Sequence, residues 1–277
     1  MPKPASTLHS LQDALGAIGR SGARSLVGSS LGWSLSWWHV VKVGALILVL
    51  AMSPSTYDRS NRAALARQLY LGTAPILPWF ALMAAVVSVV LIRIVVVTAM
   101  SYGLSQYALE MVIRVLVLEL IPLAAALFVA LRVTVPSGAE LIRLHVGGAL
   151  AASARAGGDP LRHELMPRVV GGIFAVLMLA AVACLIAMGL TYAAVYGFTF
   201  GAFDGFTRTM GQIFEPGVTI IFALKTLFFA LAVALIPVAA FLRAARSVGR
   251  SPELDSLVRL FAAILAIEVV SLLGNYH

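Results

Sequence analysis

Residues 76–134 read ILPWFALMAAVVSVVLIRIVVVTAMSYGLSQYALEMVIRVLVLELIPLAAALFVALRVT. Two apolar runs, 76–101 and 105–134, flank the short connection Tyr102–Leu104. Each run exceeds the roughly 20 residues that a helix needs to cross a bilayer. The connection contains no Lys or Arg, whereas basic residues follow position 131. The stretch therefore predicts two membrane-crossing helices joined by a tight hairpin on the external side.

The whole chain shares this apolar character. Of its 277 residues, 61% are hydrophobic and 12% are charged, and the mean hydropathy is +0.97. Soluble domains contain about 25% charged residues, so the composition excludes a large soluble enzyme domain between the spans. The net charge of +8 comes from Lys and Arg that lie mainly between apolar runs. This distribution indicates membrane topology and argues against a nucleic-acid partner.

Six runs are apolar enough to form helices in lipid. They cover roughly residues 33–52, 76–101, 105–134, 169–197, 217–242 and 257–274. Basic residues are frequent in the connections before 76, after 131 and after 242, and rare in those near 102 and 198–216. Because Lys and Arg mark the cytoplasmic side, inside and outside alternate from residue 53 onward. The alternation predicts a cytoplasmic N-terminus and an external C-terminus.

The first run has basic residues on both flanks, so it would have to leave and return to the same face. Its first half contains Trp33, Trp37, Trp38, His39 and Lys42, which are typical of the headgroup level. We interpret it as an interfacial or re-entrant helix that precedes five crossings. The alternative is a six-crossing protein with an external N-terminus. No cleavable signal peptide is evident, because the first thirty residues lack an apolar core ahead of a cleavage site.

Ionisable side chains inside a bilayer are costly and are functional candidates. The predicted spans contain six of them: Arg93, Glu110, Arg114, Glu119, Lys225 and Glu268. Four of these, two arginines with Lys225 and Glu268, lie at one level, roughly 9–14 Å from the external ends of their spans at 1.5 Å per residue. They either pair and stabilise the bundle, or form a polar patch that holds an anionic headgroup inside an apolar cavity. Both interpretations can hold together.

Spacing along each helix refines this picture. Glu110 and Arg114 are four residues apart and can pair on one face, whereas Glu119 points about 180° away from Glu110 and meets a different neighbour. Pro122 should loosen the helix one turn after Glu119, and Pro237 could do the same in its span. The run 169–197 is rich in Ala and Gly, which permits close helix packing in lipid.

Motifs for soluble catalysis are missing from the sequence. It contains neither a phosphate-binding Gly-x-x-x-x-Gly-Lys-Ser/Thr loop nor a His-Glu-x-x-His pair, and its five His are scattered. Cys184 is the single Cys, so it forms no intrachain disulfide. We expect no catalytic residue, metal or cofactor in this chain. An intramembrane enzyme would need an acid, base and nucleophile set, and none is visible.

Several short motifs resemble the MlaE family of permeases, which serve ABC transporters that work with MCE proteins on membrane lipids. The similarity covers about residues 15–275. The motifs are Ile18–Gly22, Arg67–Gly72, Tyr102 through Glu119-Leu-Ile-Pro122, Arg132, Ala139-Glu140, Asp159-Pro160-Leu161, Pro167-Arg168 and Leu224-Lys225-Thr226. The stretch from Tyr102 to Arg168 matches the family pattern without gaps.

The resemblance implies an all-α membrane protein with an N-terminal interfacial helix and five transmembrane helices. It divides the chain into a cytoplasmic segment at 1–32, an interfacial or elbow region at 33–75 and a permease domain at 76–277, with a cytoplasmic coupling segment at about 135–168. It also implies a location in the bacterial inner membrane with a periplasmic C-terminus, a permease dimer with two cytoplasmic ATPase subunits, and a periplasmic MCE protein above a phospholipid pocket. ATP hydrolysis would occur in the ATPase, so this chain itself is not expected to be an enzyme.

The resemblance carries Glu119 and Lys225 over to the lipid pocket. The level of the charges adds Arg93, Arg114 and Glu268 to the candidate pocket residues. The family's coupling helix precedes the Asp-Pro motif and docks on the ATPase. This corresponds to about residues 141–158, and the candidate docking residues are Arg143, Arg155, Asp159 and Pro160.

The sequence departs from the family pattern at several positions. Ile121 replaces the Gly of Glu-Leu-Gly-Pro, Leu118 replaces the preceding Arg, and Arg93–Ala99 replaces a Gly-rich segment. The acidic anchors of the coupling segment are absent from Gly147–Arg155, and Ser251–Asp255 replaces a Gly-x-x-x-Ala-Thr-Thr motif.

These departures leave two hypotheses open. The chain is either a divergent lipid permease, as a homodimer or as half of a heterodimer, or a non-coupling subunit that has kept the fold and acts as a scaffold. Five aromatic residues around the external loop predict a segment at the outer interface, which could also contact a periplasmic partner. They are Phe198, Phe200, Phe203, Phe206 and Phe214.

Overall fold

The computed structural model describes residues 42, 44–45, 59–104, 107–148, 155, 164–197, 200–244 and 252–275. The chain divides into two compact units, Met1–Leu46 and Ile47–His277. In the first unit, Lys42, Gly44 and Ala45 are helical. The rest of the predicted interfacial helix at 33–52, and the predicted segment 1–32, lie outside the described residues. All further description concerns the second unit.

The described part of this unit is helical and contains no β-strand. Its α-helices are α1 (Arg59–Thr73), α2 (Leu77–Ser101), α3 (Ala108–Val112), α4 (Ile121–Val129), α5 (Val135–Val146), α6 (Met166–Tyr196), α7 (Phe203–Ile213), α8 (Pro216–Ala244) and α9 (Pro252–Asn275). A π-helical stretch, Ile113–Leu120, joins α3 to α4, and a second, Ala130–Thr134, joins α4 to α5. A short 3₁₀ turn, Phe200–Ala202, precedes α7.

Five helical stretches in the described residues are long and apolar enough to cross a membrane, which confirms the predicted number. In chain order, the first to fifth spans are Leu65–Ser101, Ala108–Leu144, Met166–Tyr196, Pro216–Phe241 and Ser256–Asn275. The chain is therefore a multi-pass membrane protein. The second span runs about ten residues beyond the apolar run that predicted it. Hydropathy marks where the chain leaves the apolar region, and the helix itself continues past that point as α5.

Each π-helical stretch ends two residues before a proline, at Pro122 and Pro136. A proline has no N–H, and its ring clashes with the carbonyl four residues earlier. The preceding turn widens in response. The N–H of Ile121 bonds to the carbonyl of Leu116, five residues back, instead of four. The loosening predicted near Pro122 thus takes the form of a π-helix that contains Glu119.

The hairpin between the first two spans is closed by Gly103. Its φ of 71° lies in the left-handed region, which favours glycine. The N–H of Gly103 bonds to the carbonyl of Met100, and the N–H of Leu104 bonds to the carbonyl of Ala99 at 2.8 Å. These bonds satisfy carbonyls at the end of α2, as a glycine cap does at many helix ends. The bonds at Gly103 and Leu104 therefore turn the chain back while pairing the carbonyls of Met100 and Ala99.

The third span forms the centre of the bundle, where it packs against α1 and the first, second and fourth spans. Small residues allow this close approach. A Cβ added to Gly172 would lie 3.0 Å from Thr134 Cγ2 and 3.3 Å from Ala234 Cβ, so the second, third and fourth spans meet at this glycine. This confirms the packing role predicted for the Ala- and Gly-rich run. The fifth span packs mainly on the fourth and on α5.

Consecutive spans are antiparallel, so their ends form two sets. We call the set that contains Tyr102, Gly197 and Asn275 the hairpin end of the bundle. The opposite set, which contains Val146, Met166 and Pro252, is the basic end, because the arginine-rich connections lie there. The functional candidates divide between these two ends.

Candidate functional site

Three charged side chains from three spans meet in the half of the bundle nearer the hairpin end. We call Glu119, Lys225 and Glu268 the ionic cluster. Lys225 Nζ bonds to Glu119 Oε2 and lies 2.9 Å from Glu268 Oε2. The Lys225 side chain is only 1% exposed, while those of Glu119 and Glu268 are 10% and 15% exposed. A buried charge is stable only with partners, and the two carboxylates supply them.

The π-helix presents a backbone carbonyl to Lys225. Pro122 cannot donate to the carbonyl of Leu118, its normal partner four residues earlier. That carbonyl accepts a hydrogen bond from Lys225 Nζ at 3.4 Å. The ring of Phe229 lies 5.8 Å from the same ammonium, at a distance where a cation–π interaction is favourable. Backbone, carboxylate and aromatic groups together therefore hold the lysine inside the bundle.

Asn275 is a member of the site that the sequence interpretation missed. Its Nδ2 donates to Glu119 Oε1 at 3.2 Å, which ties the end of the fifth span to the second span. Glu268, Ser271 and Asn275 are spaced i, i+3 and i+7, and this spacing places them on one face of a helix. That periodicity was the available signal, because it extends the polar face of Glu268 to the end of the helix.

An apolar groove of about 470 Å³ lies beside the cluster, between the fourth and fifth spans. Its walls include Ile221, Leu224, Phe228 and Val270, and Lys225 is one of its few polar lining residues. Ser271 also lines it. The Ser271 hydroxyl is buried and has no hydrogen-bond partner among the described residues. The groove is thus an almost entirely apolar surface, and its wall contains one buried hydroxyl without a described partner.

The other predicted pocket residues lie away from the cluster. Arg114 Nε donates to Glu110 Oε1 at 2.9 Å, which confirms the predicted pair, and both side chains are more than one-third exposed. Arg93 lies on an exposed face of α2 and has no ion pair within the described ranges. The structure therefore brings together Glu119, Lys225 and Glu268, but not Arg93 or Arg114.

The basic end contains a second charged group, centred on Arg168. Its guanidinium donates to Glu140 at 2.9 Å, to Glu164 at 3.2 Å and to the carbonyl of Ser137 at 3.3 Å. Arg168 is largely buried, and it joins α5 to the start of α6. We call these three interactions the Arg168 clamp. They bracket the two ends of the predicted coupling segment.

Two of the four candidate docking residues, Arg143 and Arg155, are exposed. The other two, Asp159 and Pro160, lie outside the described residues. No acidic side chain is described between Arg143 and Arg155. The described surface from Arg143 to Arg155 is therefore basic, whereas Glu140 is exposed nearer the start of the segment.

The hairpin end has the short amphipathic helix α7. Phe206 is buried and packs edge-on against Tyr192, with ring centroids 5.2 Å apart, and against Tyr196 at 6.3 Å. Phe203 is mostly exposed, and Phe198 lies outside the described residues. One side of α7 is thus anchored to the third span, while Asp204 and Arg208 are exposed.

In chemical terms, the site offers a buried ion triad and an apolar groove whose wall contains a buried hydroxyl without a described partner. No group of three or more His, Cys, Asp or Glu in the described part of the chain could hold a metal ion.

The comparisons with known proteins give one result. The family model described as Permease MlaE matches residues 65–273, which is most of the chain and all five spans. No curated protein matches the sequence.

Proposed function

Because the chain belongs to the MlaE permease family and is thus a membrane permease subunit of an ABC transporter, we propose that its cargo is a phospholipid or a related amphipathic lipid. The lipid moves between the inner membrane and a periplasmic MCE protein. ATP is hydrolysed in a separate cytoplasmic ATPase subunit. The permease acts as a dimer with a second permease subunit.

The observation that carries this proposal is the groove beside the ionic cluster. Acyl chains contact Ile221, Leu224 and Phe228, and the polar part of the lipid lies at the level of Lys225 and Ser271, which line the groove. Ligand sites commonly combine apolar walls with a few polar groups. Glu119, Lys225 and Glu268 are the pocket residues of this proposal, and Arg93 and Arg114 fall outside it.

The distribution of charge supports an orientation in which the basic end of the bundle is cytoplasmic. Arginine-rich connections lie at the basic end, and positive charge near span ends marks the cytoplasmic side. In this orientation the hairpin end and α7 face the periplasm, where the MCE protein would bind. The Arg168 clamp lies on the cytoplasmic side and holds the coupling segment, through which closure of the ATPase pair would rock the bundle and compress the groove.

One observation favours a second candidate function. From Arg143 to Arg155 the coupling segment has two exposed arginines and no acidic residue, so this stretch does not match the ATPase groove that the family's acidic segment fits. In this alternative the chain is a non-coupling half of a heterodimeric permease, or a scaffold subunit. An ATPase with an acidic docking groove is the partner that the first proposal requires.

Copurification with a matched pair of variants tests the proposal. The tagged protein is extracted in mild detergent, and its bound proteins and lipids are identified by mass spectrometry. We expect an ATPase, an MCE protein and stoichiometric lipid. Ala266→Phe fills the groove and should abolish lipid retention. Ala181→Phe places the same bulk on an exposed face of the third span and should retain the lipid.

The outcomes separate the hypotheses. A complex with lipid and an MCE protein but no ATPase would indicate the non-coupling subunit. A second, different permease chain would identify the heterodimer. Equal lipid retention in both variants would reject the groove as the lipid site.

A further inference from the structure

We infer that the outer face of α2 binds a transmembrane helix of a different protein, and that this helix presents an Asp or Glu to Arg93. The inference needs only a bundle that spans a membrane, so it goes beyond the proposed lipid cargo and does not depend on it. It gives a role to a charged residue of the first span that the proposed lipid site does not use.

Arg93 lies deep in the membrane on a face that is open to lipid. It is eight residues before Ser101, the end of α2, or about 12 Å of helix at 1.5 Å per residue. Tyr102, the next residue, is 77% exposed and is of a type that lies at the headgroup level. Because the hydrocarbon core is about 30 Å thick, Arg93 lies close to its midplane. Val89 and Val97, one turn away on the same face, are half-exposed.

The described part of the chain provides no partner for the Arg93 guanidinium. It makes no ion pair or hydrogen bond with the described residues, and the apolar run at 33–52 contains no Asp or Glu. A helical side chain tilts toward the N-terminus of its helix, so Arg93 tilts away from the nearer, hairpin end. Snorkelling to the headgroups at that end is therefore unfavourable. An intramembrane arginine in this position requires an anionic partner at its own depth.

In its described spans, a second copy of this chain offers no matching carboxylate. The carboxylates nearer the hairpin end are Glu110, Glu119 and Glu268, and the last two belong to the ionic cluster inside the bundle. Glu110 is bonded to Arg114 and lies about 3 Å of helix from the start of its span. Its side chain tilts toward the hairpin end, opposite to Arg93. Two copies inserted the same way keep identical depths, so the carboxylate comes from a different membrane-spanning chain.

The surface around Arg93 suits a helix better than a lipid. An anionic lipid keeps its phosphate at the headgroup level, from which Arg93 points away. The exposed neighbours of Arg93 are β-branched and stiff, so they lose little conformational freedom when a helix packs on them. They are Val86, Val89, Val90 and Val97. Because helices associate in lipid through such packing and through interhelical polar contacts, the partner is an apolar helix with one carboxylate at the depth of Arg93.

Photo-crosslinking in intact cells, followed by charge exchange, tests the inference. A photo-crosslinking amino acid at Val97 of the tagged full-length chain captures what covers the face of Arg93, and mass spectrometry identifies the adducts. The same amino acid at Leu185, which is 71% exposed on the third span, reports non-specific adducts. The crosslinking is repeated in Arg93→Lys, which keeps the positive charge, and in Arg93→Leu, which removes it.

We expect a Val97 adduct, absent at Leu185, with a different protein whose transmembrane helix has an Asp or Glu at the depth of Arg93. Arg93→Leu should lower the yield about tenfold, the order of effect of one interhelical polar contact in lipid. Arg93→Lys should retain most of it. Arg93→Glu should also lose the adduct, and replacing the partner's acidic residue by Lys should restore it in that variant.

Adducts with lipid alone or with a second copy of this chain would overturn the inference. A partner without an intramembrane carboxylate, or an equal yield in Arg93→Leu, would do the same. The purified chain controls for folding, and its Tm should not fall in Arg93→Leu. A lower Tm would show that another segment of this chain covers Arg93, which also contradicts the inference. Lipid retention by the groove should be unchanged in Arg93→Leu, so the proposed function is tested separately.

Discussion

Removing the single side chain of Lys225 would change the balance of charge where three spans meet. It bridges Glu119 and Glu268, which come from different spans and have no other described cation beside them. Without the ammonium, two carboxylates would face each other in an apolar environment. Breaking a buried ion pair by removing one partner costs more than the pair itself contributes, because the remaining charge is left without compensation.

Lys225→Met is therefore expected to lower the free energy of unfolding by ~3–5 kcal/mol. Arg114→Met is the matched control, since it breaks an ion pair whose members are more than one-third exposed, and it should cost less than about 1 kcal/mol. Denaturant unfolding in detergent, followed by tryptophan fluorescence, measures both. Equal losses in the two variants would show that Lys225 does not bridge the carboxylates.

At the scale of helices, the bundle depends on one close crossing. Three spans approach one another closely at Thr134, Gly172 and Ala234, where no space remains for one added methyl group. In lipid, helix association relies on such packing, since the hydrophobic effect provides no drive between helices there. Position 172 therefore does not accept a larger side chain without a shift of its neighbours.

Gly172→Ala should reduce the free energy of unfolding by ~1–3 kcal/mol, because its Cβ would overpack against backbone and side-chain atoms of two spans. Gly189→Ala, in the same helix, meets no atom within 4 Å. It should be neutral or stabilising by up to about 1 kcal/mol, as alanine favours helix. The same unfolding assay applies. If both glycines tolerate alanine alike, the three-span crossing is not tight.

At the scale of the molecule, the spans alternate between two ends that differ in charge. The hairpin end has a short, uncharged first connection, and the basic end has the Arg168 clamp and the exposed arginines of the coupling segment. Such asymmetry orients a bundle during insertion. The proposed direction of every partner interaction depends on this orientation.

Cysteine accessibility tests the orientation in intact cells. In a Cys184→Ser background, a membrane-impermeant thiol reagent should label Tyr102→Cys from the periplasm, because Tyr102 is 77% exposed at the hairpin end. Arg155→Cys should be labelled only after the inner membrane is permeabilised. The reverse pattern would invert the topology and move the proposed ATPase and MCE surfaces to opposite sides.

Local patterns in the sequence predicted the features that depend on one helix at a time. Five crossings follow from apolar runs and charge alternation, and the Glu110–Arg114 pair follows from a spacing of four. The resemblance placed Glu119 and Lys225 near each other, and the common level of the charges added Glu268. These residues lie on separate helices, and their contact is a property of helix packing.

Charged residues can be selected from the sequence by their depth in the membrane, but depth alone does not define which of them meet. Arg93 lies at the predicted depth, but depth does not define which face of α2 turns inward, and the residue is exposed. Pro122 predicted loosening, but not that the Leu118 carbonyl accepts a hydrogen bond from a lysine of the fourth span. The role of Asn275 required knowing that the end of the fifth span reaches Glu119.

The crossing at Gly172 also sets the lever arm for any tilt of the second span about this contact. Thr134 and Glu119 belong to one continuous helix and are separated by fifteen residues, or about 22 Å of helix length. A tilt of about 5° pivoted at the crossing would displace Glu119 by about 2 Å along this lever arm. That displacement is comparable to the H···O distance of a hydrogen bond, so a tilt of this size in the second span would be enough to separate Glu119 from Lys225.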